Sequence, residues 1–94
     1  MKTFKDLEFF ENEDYGDGAI YAFMFFDNNF GVSVIRFKYS KGGSKGLYEL
    51  AVVYMSPEMN ESKIHYNNDV AQGDVRGYLT EDGVSELMEQ VQNF

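Results

Sequence analysis

AIYAFMFFDNNFGVSVIRFKYSKGGSKGLYELAVVY, residues Ala19 to Tyr54, is the stretch on which the fold turns. Successive side chains of a strand point to opposite faces. Ile20 to Phe26 therefore sets Ile20, Ala22, Met24 and Phe26 on one face and Tyr21, Phe23 and Phe25 on the other, apolar in both registers. This is the pattern of a central strand buried on both sides, and it predicts that Phe23→Ala or Phe25→Ala costs ~3–5 kcal/mol if the ring is buried. Asp27-Asn28-Asn29 follows, and because Asn tolerates positive φ, a tight hairpin into Phe30–Phe37 is the natural connection. In that second strand Val32 and Val34 share a face with Arg36 and Lys38, so it leaves the core near Arg36. Lys41-Gly42-Gly43-Ser44-Lys45-Gly46 reads as a flexible glycine-rich loop of hairpin-like length. Leu47 to Tyr54 is the third strand, alternating Leu47, Glu49, Ala51 and Val53 against Tyr48, Leu50, Val52 and Tyr54. The three make an antiparallel meander.

Outward from this centre, the clearest local signal is C-terminal. Thr80 stands where an N-cap belongs, Glu81 and Asp82 put negative charge in the first turn, and Val84, Leu87, Met88 and Val91 recur with helical spacing. Ser85, Glu86, Glu89 and Gln90 are left for water. Phe4 to Phe10 reads as an edge strand or irregular cover, Asn12 to Gly18 as a loop, Lys63 to Tyr66 as a short fourth strand, and Asn67 to Gly77 as coil. The expected fold is one α+β domain over residues 1–94: an antiparallel sheet of four strands, or five, with the C-terminal helix packed on one face. Residues 1–18 form an acidic, partly flexible segment. A helix with one apolar stripe covers one side of a sheet. The second face must then meet the N-terminal segment, the 55–77 connection or another copy of the chain, and this makes self-association, as a dimer, the leading expectation.

Composition narrows the function classes. Sixteen acids against eight bases give a formal charge of −8, which repels the phosphate backbone and argues against direct nucleic-acid binding while suiting a basic partner. From Asp6 to Ile35 there are seven acids and no Lys or Arg, after which Arg36, Lys38, Lys41 and Lys45 fall close together, so the surface is expected to be dipolar. The absence of cysteine fits a reducing, cytoplasmic compartment. No run approaches the ~18 apolar residues of a membrane span, and none supplies a signal-peptide core.

The candidate chemistry is thin. KGGSKG lacks the glycine spacing and following helix of a phosphate loop, though Lys41 and Lys45, read as mobile, remain candidate contacts for an anionic partner. NEDYGDG, Asn12 to Gly18, fails the calcium-loop pattern, which needs oxygen side chains and a turn glycine at fixed positions. His65 is the only histidine, so no histidine pair holds a metal; with a carboxylate it offers the alternative reading of a small-molecule site or enzyme. No cofactor, metal or catalytic residue is indicated. Carboxylates on one face of an extended segment repeat every ~6.6 Å, and Glu11 and Glu13 have that spacing; with Asp14 and Asp17 they read first as a solubilising acidic surface and, as the sharper alternative, as an imitation of a nucleic-acid backbone that binds a basic protein.

Three segments carry a resemblance: Gly31-Val32-Ser33-Val34; Gly42-Gly43 ahead of Gly46-Leu47-Tyr48-Glu49-Leu50-Ala51-Val52; and Asp74-Val75 leading into Gly77-Tyr78-Leu79-Thr80. From Phe30 onward the chain resembles a family of short uncharacterised proteins encoded by bacteriophages and prophages. The resemblance implies an accessory protein in the cytoplasm of the bacterial host and brings no activity or site residue with it. The expected function is non-enzymatic protein–protein contact that modulates a host factor or defence system. A structural virion component is the other alternative.

Overall fold

Asn29 takes the left-handed conformation, φ 67°, and closes the turn that the DNN sequence predicts. Around it the Phe26 amide donates to the Phe30 carbonyl at 2.7 Å, and the Asn28 side chain accepts from the Phe30 amide. The computed structural model describes all residues from Met1 to Phe94. The turn joins β2 (Ile20–Phe25) to β3 (Phe30–Arg36), which pairs in turn with β4 (Tyr48–Ser56). A two-residue β1 (Phe10–Glu11) lies outside β2. The far side of β4 is shared between β5 (Glu61–Ile64) and β6 (Arg76–Leu79). All pairings are antiparallel, and α1 (Glu81–Gln92) follows β6 directly.

The architecture is the expected α+β arrangement, a sheet with one C-terminal helix packed against it, and it differs in strand count and in which strand is central. Arg76–Leu79, its first two residues read as coil and its last two as the lead-in to the helix, pairs with β4 across a bulge: Gly77 and Tyr78 together oppose Glu49. Tyr78 has φ 56° there, which throws its ring outward. Its local sequence has no strand alternation because the bulge consumes a residue. β3 and β4, rather than β2, are the central strands.

One register of the meander builds the core. Val32 and Val34 of β3 and Leu50 and Val52 of β4 meet Val84, Leu87, Met88 and Val91 of α1, with all but Leu87 at 1 % exposure or less. The cap is as the sequence implies: the Thr80 hydroxyl accepts from the Gly83 amide at 3.1 Å. Ser85, however, is not left to water. Its hydroxyl accepts the Phe4 amide at 2.9 Å, while the Gln92 side chain bonds both the amide and carbonyl of Lys2. These contacts bind the N-terminal segment to the helix, so Phe4, Leu7 and Phe9 join the same core. The 65–75 connection does likewise through buried Val70 and Ala71, held by Asn68, which accepts both their amides, and by Arg76, which donates to the Val70 carbonyl. Both remaining covers thus fall on the side already roofed by α1.

The glycine-rich connection between β3 and β4 is anchored rather than flexible. Buried Ser40 donates to the Phe37 carbonyl at 2.8 Å and accepts the Phe37 amide at 3.0 Å. A β-carbon on Gly43 would lie 1.8 Å from the Phe37 carbonyl oxygen, and one on Gly42, φ 89°, would press on the Tyr78 backbone. These glycines let two loops and β6 pack at backbone distance.

Candidate protein-contact face

The second register of the sheet has no layer over it. Phe10, Tyr21, Phe23 and Phe25 from the first two strands, Ser33 and Ile35 from β3, Ala51 and Val53 from β4, and Ile64 from β5 share this face by the cross-strand register. Phe23 is 59 % exposed, Phe10 47 % and Ile64 46 %. Ala51 and Val53 are shielded by their neighbours alone and stand outside the main core cluster. The expectation that β2 is buried on both sides is therefore corrected: Ala22 is fully enclosed, while Tyr21, Phe23 and Phe25 form an open aromatic row. The Phe10 and Tyr21 rings lie 5.8 Å apart and the Phe23 and Phe25 rings 6.4 Å apart. Two hollows indent the face on either side of Ser33. One, of about 370 Å³, is bordered by Tyr15, Tyr21, Ile35 and Phe37. The other, of about 210 Å³, lies among Phe23, Phe25, Val53 and Ser62.

Ser33, Glu49 and Ser62 occupy this same register. Those polar residues are the signal in the sequence that separates the two faces, and apolar counting along β2 alone passes over it. An isolated exposed apolar residue is ordinary; a contiguous row across several strands is the kind of surface that marks an interaction site.

The predicted acidic residues border one end of this face. Glu11 lies in β1, Glu13 and Asp14 in a 3-10 turn capped by Asn12, and Asp17 in the turn before Ala19. All four are exposed. The extended carboxylate ladder expected for Glu11 and Glu13 is absent, because the chain coils at Glu13; the Asn12 amide bonds the Ala19 carbonyl and closes the loop. Tyr15 packs its ring 5.2 Å from Phe37, which holds this acidic turn against the rim of the open face.

The basic residues do not join them. Lys41, read from sequence as mobile, is fixed: its ammonium bonds Asp74 at 2.8 Å, its amide donates to Glu49 and its carbonyl accepts from Tyr78. The hydrogen bond to Asp74 raises the Lys41 pKa. The same bond, aided by the Val75 amide, lowers that of Asp74. Lys45 lies 5.8 Å over the exposed Tyr78 ring. His65 packs edge-on against Phe30, and its Nδ1 meets the Asn68 side chain at 3.0 Å, with its backbone amide bonded to Val52. No three His, Asp or Glu residues converge in a metal-binding geometry, and no helix is long and apolar enough to cross a membrane. Comparison with protein-family models, with curated proteins and with solved structures yields no match.

Proposed function

We propose that this protein works by contact with other protein chains and carries out no chemistry of its own. It self-associates through apolar sheet surface that its single helix leaves uncovered, and its acidic end, Glu11, Glu13, Asp14 and Asp17, meets a basic partner. The resemblance to phage-encoded proteins supplies the setting: an accessory protein in the bacterial cytoplasm that modulates a host factor. The observation that carries the reading is the open aromatic register, in which every apolar segment able to roof it has instead packed on the helix side. Burying an exposed Phe is worth ~1.5–3 kcal/mol, so several uncovered rings supply a binding free energy comparable with a weak protein complex.

Sedimentation equilibrium across a wide concentration range tests the self-association, with association expected to rise with concentration. A strict monomer at the highest concentration attainable refutes it. For the acidic end, a basic partner should be released at high salt, since exposed charge contacts are screened within ~8 Å at physiological ionic strength. Retention independent of salt refutes the charge-driven contact.

A further inference from the structure

The hollow of about 370 Å³ at the acidic end of the open face is walled by aromatic rings, and no lysine or arginine lines it. The strand register builds it. Ser33, Ile35 and Phe37 succeed one another at two-residue spacing, and Tyr21 stands opposite Ile35 on β2. Tyr15 closes the end, its ring 5.2 Å from that of Phe37. Carboxylates flank the hollow from two separate elements. Glu49 of β4 is the cross-strand partner of Ile35, so the two side chains are neighbours on this face. Glu13 and Asp14 adjoin Tyr15 in the 3-10 turn.

Elsewhere the chain seats its own cations on rings. The Arg36 guanidinium lies 4.9 Å from the Tyr48 ring centroid, on the helix side of the sheet, Lys38 lies 5.5 Å over Tyr39 and Lys45 5.8 Å over Tyr78. Lys41, the remaining base of that cluster, is bonded to Asp74. Tyr15, Tyr21 and Phe37 thus present electron-rich rings beside carboxylates with no positive partner from the protein itself. Ring quadrupole and opposite charge both favour a cation there. The volume, near the lower end for ligand sites, suits one side chain rather than a larger molecule.

Of the two common cationic side chains, the guanidinium fits this lining. It is planar, stacks on aromatic faces and is more weakly hydrated than an ammonium, so it loses less on leaving water for a site bounded by rings and Ile35. The Ser33 hydroxyl in the lining and the Glu49 carboxylate beside it are acceptors for its N–H donors. Resting on the reading above, in which the acidic end meets a basic protein, we infer that this hollow receives an arginine side chain of that partner, stacked among Tyr15, Tyr21 and Phe37 with its charge met by Glu49 and the Glu13–Asp14 turn. Tyr and Arg are the residue types that concentrate binding energy at protein interfaces. The arginine anchors the contact, and the surrounding carboxylates steer its approach.

The test titrates the intact protein, at a concentration where it is monomeric, with two end-blocked peptides of equal length and charge: one alternates arginine with glycine, the other lysine with glycine. The arginine peptide should shift the NMR signals of Tyr15, Tyr21, Ile35 and Phe37, and its own side-chain methylene protons should move upfield under the rings. The lysine peptide should bind more weakly. Tyr15→Leu keeps apolar cover and removes the ring, and should weaken the arginine peptide about two- to fivefold, the worth of one exposed cation–π contact; Tyr15→Phe should bind nearly as the wild type does. If both peptides bind with salt sensitivity but neither moves Tyr21, Ile35 and Phe37, the arginine site is overturned and the charge-driven contact stands. A lysine peptide that binds as tightly and shifts the same rings overturns the choice of arginine. Binding of neither peptide at low salt overturns both the site and the acidic-end reading. If raising the protein concentration alone moves the same signals and the arginine peptide does not reverse the change, a second copy closes the hollow and the inference is overturned. Should Tyr15→Leu disturb the 12–18 turn, the shift map of the wild type decides alone.

Discussion

Phe23→Ala is the substitution on which the two faces of the sheet part company. A ring buried on a central strand costs ~3–5 kcal/mol to truncate. Phe23 is 59 % exposed, so roughly two fifths of an aromatic surface of ~200 Å² is covered, about 80 Å². At ~25 cal/mol/Å² that is worth about 2 kcal/mol. The extended-chain reference overstates burial by ~10–40 %, and the alanine retains its own share, which brings the expectation to about 1 kcal/mol, with no cavity term because the site opens to solvent. For a domain of this size ~1 kcal/mol lowers the melting temperature by ~4–8 °C. Leu50→Ala is the contrast: Leu50 is 0 % exposed in the core, and its truncation should cost ~2.7–5 kcal/mol. Urea unfolding followed by circular dichroism, at a concentration where the protein is monomeric, measures both. A loss of 3 kcal/mol or more for Phe23→Ala in the monomer would refute the open face, as would a Leu50→Ala as mild as Phe23→Ala.

Three further outcomes follow from the surrounding contacts. Ser40→Ala removes the hydroxyl that both donates to and accepts from Phe37, so it should cost ~1–3 kcal/mol by urea titration; an unchanged midpoint would show that the β3–β4 loop is not held by it. Replacing Glu11, Glu13, Asp14 and Asp17 by their amides should leave the melting curve nearly unchanged and abolish salt-sensitive binding to a basic partner, and undiminished affinity would end the acidic-end reading. Asp74 should titrate below the ordinary aspartate value of 3.8 because Lys41, then the Val75 amide, stabilise its charged form. A depressed carboxyl stabilises the folded state above the ordinary value, and that contribution disappears as pH falls through the lowered one. Carboxyl NMR should show the Asp74 midpoint returning towards 3.8 in Lys41→Ala; no movement would mean the ion pair does not persist in solution.

Where a signal is local, the residues carried it. Val84, Leu87, Met88 and Val91 were readable as the buried stripe because helical spacing and the Thr80 cap lie within a few residues of one another. The hairpin at Asn29 was equally plain. β6 was not, because its bulge and the positive φ of Tyr78 break the two-residue period. Lys41 looked mobile since its partner, Asp74, is distant in sequence and is brought close only by β6 packing beside the loop. Among the acidic residues, position and exposure were legible, whereas the turn at Glu13 that breaks their extended spacing depends on the Asn12–Ala19 bond.

By itself the sequence determined that there would be three long strands, one amphipathic C-terminal helix, and more apolar sheet surface than that helix covers, since periodicity and composition are properties of neighbouring residues. Only the tertiary structure decided which register stays open. That choice rests on Phe4 bonding to Ser85, Lys2 to Gln92, and Val70 and Ala71 entering the core. These contacts join distant parts of the chain, and they draw both remaining covers to the side of the helix because its groove already offers apolar partners and free hydrogen-bonding groups.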